Sequence, residues 1–416
     1  MNMFYYPLGG LCFIFGVAVA AQDVDPFASE GEMTEPVYEQ SSYSSLLDFL
    51  YQRSYIANAE WINGGNYTEE QSILDGAWDW QPRADFKFKL RGIASYDDRR
   101  DGSNKSHRKD IAILDAYYEQ EFSGGKHTLS LGRKNLGWSA GFQWRPADLI
   151  ENGFFTKNVD TLDPNRYRGI DQARYDYIGD NTSISLVFSD KERNFFDGHQ
   201  LATKFSFKGN ALYSLLFARL GNYANKLGLS VDSSLPFAMT IIIEAVHVEI
   251  DKNELADPAR YGYRLESLTG KNRYNDVFLG LTKFIDERRR IDLQYFYNGR
   301  GFEHNNLAAT KRINKSAAAT EQQIDPRLFS YNYLRKNYLY FAYTGYIELW
   351  KLQFKPSVMM NMDDKSYIGA MSFSWGLGDH SQLQFNLNIF DGTDNSEFGG
   401  ISSSAGFSLS YIVHLI

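Results

Sequence analysis

Gln382-Leu383-Gln384-Phe385-Asn386-Leu387-Asn388-Ile389 alternates without a break. Leu383, Phe385, Leu387 and Ile389 fall on one side of an extended chain, and Gln382, Gln384, Asn386 and Asn388 on the other. Period two is the signature of a β-strand. It recurs: Ile291, Leu293, Tyr295 and Tyr297 alternate with Arg290, Asp292, Gln294 and Asn298. Phe86, Phe88 and Leu90 alternate with Lys87, Lys89 and Arg91, and Ile184, Leu186 and Phe188 with Ser183, Ser185 and Val187. A face of Lys, Arg, Asp and Gln packs a dry core only at a large desolvation penalty. A water-filled lumen satisfies it.

Composition points the same way. Of 416 residues 16% are aromatic, with 28 Tyr and 30 Phe against 10 Pro, and mean hydropathy is −0.42. Only half of each strand in a transmembrane barrel is apolar, and aromatic girdles mark both membrane interfaces. The net charge of −8 removes any general electrostatic case for a nucleic-acid partner. Beyond the first 21 residues no run is long and apolar enough for a spanning helix.

Residues 1–21 read as a cleavable signal peptide, apolar from Pro7 and ending in Ala18-Val19-Ala20. The single cysteine, Cys12, lies inside it after Leu11, which is not a lipidation context. Disulfide frameworks, thiolate metal sites and cysteine nucleophiles are thereby excluded from the mature chain. Residues 22–46 are acidic and aperiodic, and are expected to form a flexible periplasmic lead-in.

From 47 to 416 the alternating segments are joined by connections that are short and long by turns. Gly378-Asp379-His380, Asp286-Glu287-Arg288, Ser233-Ser234-Leu235 and Ser123-Gly124-Gly125 are short; 391–402, 299–330, 251–274, 139–167 and 97–109 are longer. The joins near Asn222 and at Asp363-Asp364 are short but fall among the external ones. The fold class is therefore all-β: a transmembrane antiparallel up-and-down β-barrel of about 18 strands, with 16 the alternative, short periplasmic turns and long extracellular loops. The chain ends Gly406-Phe407-Ser408-Leu409-Ser410-Tyr411-Ile412-Val413-His414-Leu415-Ile416. This stretch resembles the C-terminal assembly signal of outer-membrane barrels, although it lacks a terminal Phe or Trp. The barrel assembly machinery and outer-membrane lipid are the implied partners, with oligomerisation left open.

The third external loop, 139–167, holds the densest mixture of aromatics and charges. Trp138, Trp144, Arg145, Asp148 and Glu151 are its candidate constriction residues. Folded inward, such a loop packs its aromatics on the wall and turns its charges to the passage, setting bore and ion preference. The alternative is a lid on the rim. Lys87, Lys89 and Arg91 are expected to line the pore beside Asp115 and Glu119, with Ala112, Leu114, Ala116 and Tyr118 facing outward. Arg290 and Asp292 repeat the pattern. Such charges also serve simply to stabilise a wall. Asp97, Asp98 and Asp101 suggest a calcium site, but Arg99, Arg100 and Lys105 favour a solvated charged tip. The seven histidines show no metalloprotease spacing, and nucleotide-binding motifs are absent. No catalytic residue, metal or cofactor is assigned.

Leu131-Gly132-Arg133-Lys134-Asn135-Leu136-Gly137-Trp138, followed by Trp144-Arg145-Pro146-Ala147-Asp148-Leu149, resembles a segment of porin-like bacterial outer-membrane proteins. Those carry Gly-Arg-Gln, then Trp-Gly, then Asn-Pro-x-Asp-Leu; here Lys134, Ser139 and Arg145 depart from the pattern. Distant relatives of the type include alginate-export porins. The resemblance implies a passive outer-membrane channel for small polar or anionic solutes rather than an enzyme. The alternatives are an exopolysaccharide export or surface-binding barrel and, after it, a barrel hydrolase.

Overall fold

The alternating segments are β-strands in the computed structural model, which describes residues 44–59, 66–101, 104–141, 143–150, 153–154, 167–189, 199–221, 224–250, 272–299, 301, 335–393, 396–399 and 405–415. The expected signal peptide and most of the acidic lead-in lie outside these residues. The first four strands are β1 (Ser44–Ala59), β2 (Asn66–Arg83), β3 (Phe86–Asp101) and β4 (Asn104–Phe122). β5 (His127–Lys134) leads into the third external loop, which contains the two-residue strands β6 (Gly153–Phe154) and β7 (Tyr167–Arg168). β8 (Ile170–Ile178), β9 (Thr182–Ser189), β10 (Gln200–Lys208), β11 (Leu212–Leu220) and β12 (Ala224–Leu235) follow. Next come β13 (Met239–Ile250), β14 (Arg273–Asp286), β15 (Arg289–Tyr297) and β16 (Asn337–Ile347). β17 (Leu352–Asn361), β18 (Tyr367–Gly376), β19 (Ser381–Asp391) and β20 (Ala405–Leu415) complete the order.

All but β6 and β7 belong to one 18-stranded antiparallel sheet. Each strand pairs with the next, β5 pairs with β8, and β1 pairs with both β2 and β20. That last pairing closes the cylinder and leaves no edge, the condition for a sheet to cross a bilayer. The hairpin turns 84–85, 287–288 and 377–380 open at one end of the cylinder, and the third loop at the other.

β1 to β4 have 16, 18, 16 and 19 residues, whereas the remaining wall strands have 8 to 14. At about 3.3 Å per residue they overreach the membrane by several turns of the pleat. The stretch expected as a loop at 97–109 is therefore mostly strand: β3 runs to Asp101 and β4 starts at Asn104. It lacks an apolar face because it stands in water, and this hid it as a strand.

A bulge corrects the expected orientation of β4. Arg91 pairs with Asp115 and Gly92 with Ile113, so Leu114 is the extra residue. The alternation inverts there. Ile111 and Ile113 are 83% and 46% exposed on the outer face, while Leu114 is fully buried with Ile73 and Ile93 and packs beside Ala112. Ala112 and Leu114 thus point inward, not outward.

Elsewhere the outer face is a continuous apolar band; on β11 and β12 it includes Leu215, Phe217, Leu227 and Leu229. β11 also breaks the simple rule, because its inward residues Leu216, Ala218 and Leu220 are apolar and fully buried. Something covers them from inside. Replacing Leu229 on the outer face with Arg is expected to destabilise folding into bilayers by about 2–4 kcal/mol, and Ser374→Arg on the lumen face by much less. Equilibrium urea unfolding in lipid vesicles measures both; equal losses would contradict the facing.

Candidate functional site: a loop seated on the inner wall

The cover is the first part of the third external loop. Leu136, Trp138, Ala147, Leu149 and Ile150 form one buried cluster with Ile170, Val187, Ala202, Leu216, Ala218, Val246 and Val248. Trp144 enters a second cluster with Phe278, Phe296, Tyr338, Tyr340, Ala342, Met359 and Phe398. Its ring stacks on Phe296 at 5.4 Å and meets Tyr340 edge-on at 6.3 Å. Burying one Trp removes about 150–250 Å² from water, on the order of 4–6 kcal/mol as an upper bound. The loop therefore lies against the inner faces of β8 to β17.

A single buried carboxylate orders its backbone. Glu244 on β13 is 0% exposed. Ser139 Oγ donates to Glu244 Oε1 and Oε2 at 2.8 and 2.7 Å, Ala140 N donates at 3.1 Å and Ala147 N at 3.0 Å. One wall residue thus ties both arms of the loop. Gly141 N donates back to Ser139 Oγ at 3.2 Å, and a Cβ at Gly141 would collide with the Trp144 carbonyl oxygen. Only glycine fits that bend.

Asp148 makes a second clasp within the loop. Its Oδ1 accepts from Trp138 N at 2.5 Å and Ser139 N at 2.8 Å, and its Oδ2 lies 3.5 Å from Arg145 Nε. Burial pushes the Asp148 carboxyl upward from its ordinary value, opposed by the Arg145 charge and those two N–H groups. Two more wall residues hold backbone atoms: Gln143 N donates to Gln294 at 3.1 Å, and Lys204 Nζ donates to the Trp138 carbonyl at 3.2 Å. Of the five candidate loop residues, Trp138, Trp144, Arg145 and Asp148 are in this assembly; Glu151 lies outside the described residues.

The candidate wall residues occur in ion pairs or hydrogen bonds. Arg91 Nη2 meets Asp75 at 2.6 Å, and Lys87 and Lys89 lie 3.7 and 3.6 Å from Asp79. Glu119 accepts from Lys134 and from Ser130, the latter at 2.7 Å. Asp115 accepts from Asn135 N at 3.2 Å, at the point where β5 becomes the loop. Arg290 Nε donates to Asp292 at 3.0 Å, and Thr282 Oγ1 donates to the same carboxylate at 2.8 Å. Asp98 pairs with Lys105 at 3.4 Å and faces His107 at 3.6 Å. Among the described residues no group of three acidic, His or Cys side chains is placed to hold a metal.

A second buried network sits beside Trp144. Tyr338 Oη donates to Glu397 at 2.6 Å, Asn361 Nδ2 donates to Glu397 at 2.7 Å, and Glu397 N donates to Asp364 at 2.8 Å. Fully buried Arg335 lies 3.4 Å from Asp364. This network ties the external β15–β16, β17–β18 and β19–β20 connections together. Neither it nor Glu244 emerges from residue spacing. The available signal was Glu244's place as the one acid among the inward residues Ile242, Val246 and Val248.

With this geometry in view, solved structures supply the comparison. The chain is similar to OccAB1 of Acinetobacter baumannii, at 10% identity and a TM-score of 0.58 over 89% of this chain and 96% of that one. OccK5 (OpdH) of Pseudomonas aeruginosa matches at 8% identity and a TM-score of 0.53 over 89% and 98%. The outer membrane protein OprD from Pseudomonas aeruginosa matches at 10% or less, namely 9% identity and a TM-score of 0.50 over 89% and 93%. No family model and no curated protein matches the sequence. The fold is accordingly the all-β, up-and-down barrel of these outer-membrane proteins.

Replacing Glu244 with Ala strands the Ala140 and Ala147 N–H groups and the Ser139 hydroxyl against the wall. The expected loss is about 3 kcal/mol of local stability, read as roughly hundredfold faster hydrogen exchange at those two amides. Unchanged protection would show that the apolar clusters alone seat the loop.

Proposed function

We propose that the protein is a porin-like outer-membrane channel through which small polar solutes diffuse passively, with its bore set by the inward-folded third loop. The observation that carries this reading is the seat of residues 136–150 on the inner wall, tied to Glu244 and packed through Trp144. A loop held there occupies lumen that the barrel alone would leave open. The barrels OprD, OccAB1 and OccK5, similar in structure at 8–10% identity, support the same class.

In this reading Lys87, Lys89, Arg91, Asp115, Glu119, Arg290 and Asp292 line the passage, and Trp138, Trp144, Arg145 and Asp148 build its narrowest part. The outward Phe407, Leu409 and Tyr411 of β20 suit insertion by the barrel assembly machinery. Residues 1–21 act as the export signal.

Single-channel recording in planar bilayers tests the proposal. The protein is expected to conduct KCl, and a variant lacking residues 141–162 to conduct more. A closed barrel overturns the channel reading, and an unchanged conductance in the deletion variant overturns the role of the loop.

A further inference from the structure

Away from the apolar seat of the loop, two stretches of the inner wall differ in chemistry. On β2 to β5 the cations stand against acids: Arg91 against Asp75, Lys87 and Lys89 against Asp79, Lys134 against Glu119, with Asp115 opposite Arg91 on the neighbouring strand. Charges neutralised at such short range leave a weak field for a permeant ion.

β18 to β20 are different. On β19, Phe385 and Ile389 are exposed on the outer face, so Gln382, Gln384, Asn386 and Asn388 point into the lumen. Their ladder neighbours are small. Gln384 lies between Ser374 and Ser410, Asn386 between Ser372 and Ser408, and Asn388 between Ala370 and Gly406. The long amides therefore stand above the surface around them.

The inward positions at 366–374, 382–390 and 406–412 include no Asp, Glu, Lys or Arg. Lys355 on β17, opposite Ser372, flanks the face.

These groups retain hydrogen-bonding capacity. Asn386 Nδ2 donates to Ser408 Oγ at 3.1 Å, and Gln384 Nε2 reaches Asn386 Oδ1 at 3.5 Å. Among the described residues, Gln382, Asn388, Ser372 and Ser374 make no side-chain hydrogen bond. All six remain partly exposed, whereas Ala202, Leu216 and Ala218 beneath the loop are 0% exposed. This part of the wall faces open lumen.

We propose that the amide and hydroxyl face of β18–β20 is a solute-binding track that favours uncharged, hydroxyl-rich solutes of the sugar or polyol class over carboxylates of similar size. The proposal rests on the channel reading and names its substrate class. A hydroxyl both donates and accepts, and Asn, Gln and Ser can answer it in either sense. A carboxylate only accepts, so each amide oxygen it meets along the track is a mismatch, whereas a sugar hydroxyl can answer that oxygen as donor. Gln382, Gln384, Asn386 and Asn388 repeat along one strand every second residue, giving a permeating solute successive exchangeable partners rather than one deep site.

Uptake of labelled glucose and gluconate into liposomes containing the full-length protein, with KCl conductance recorded on the same preparation, is the test. Glucose is expected to enter about two- to tenfold faster than gluconate, the effect of about one net hydrogen bond. In the Gln384→Ala/Asn388→Ala variant the ratio falls towards one while KCl conductance is retained; Ser372→Ala/Ser374→Ala serves as a second, milder variant. Gluconate entering as fast as glucose, or a ratio unmoved in both variants, overturns the track. Absence of KCl conductance in the unmodified protein instead overturns the channel reading beneath it.

Discussion

Hydrocarbon offers no hydrogen-bond partner to a peptide group, and the wall answers that constraint by closing on itself. The pairing of β1 with β20, in register from Phe49–Leu415 to Ala59–Ala405, leaves no free edge. Closure fixes everything downstream. It forces period-two alternation, because each strand meets lipid on one side and lumen on the other. It also creates an interior too large for wall side chains to fill. That space is occupied by a loop from the same chain.

Seating a loop inside a barrel requires an answer to its own polar backbone. The apolar clusters around Trp138 and Trp144 supply the attraction but cannot satisfy N–H groups. Glu244 does so for Ala140 and Ala147, Asp148 for Trp138 and Ser139, and Gln294 for Gln143. The buried acids lie where the loop turns. Carboxyl groups suit the task because each oxygen accepts more than one donor.

Much of the barrel was legible in the sequence because lipid and water impose so regular a pattern. The strand of Gln382–Ile389, the eighteen-strand wall and the place of the third external loop follow from alternation and connection length. The failures are local and physical. Alternation alone turns Leu114 outward, because a bulge changes parity without changing composition. Residues 97–109 resemble a loop in sequence because a strand standing in water needs no apolar face. Glu244 stands out by no motif, although β11 and β13 carry a signal. Leu216, Ala218, Val246 and Val248 make both faces of those strands apolar, which inside a wet lumen marks the footprint of a covering segment. Long-range pairing across about a hundred residues, as between Ser139 and Glu244, leaves no spacing to read.

The central claim is that residues 139–150 stand in the conducting passage. In a Cys12→Ser background, Ala140→Cys places one thiol at an exposed position of the seated loop. Reaction with a bulky, membrane-impermeant methanethiosulfonate during bilayer recording measures the claim directly. The account predicts a stepwise fall in single-channel conductance on labelling. Complete labelling, verified by mass spectrometry, with no change in conductance would contradict it.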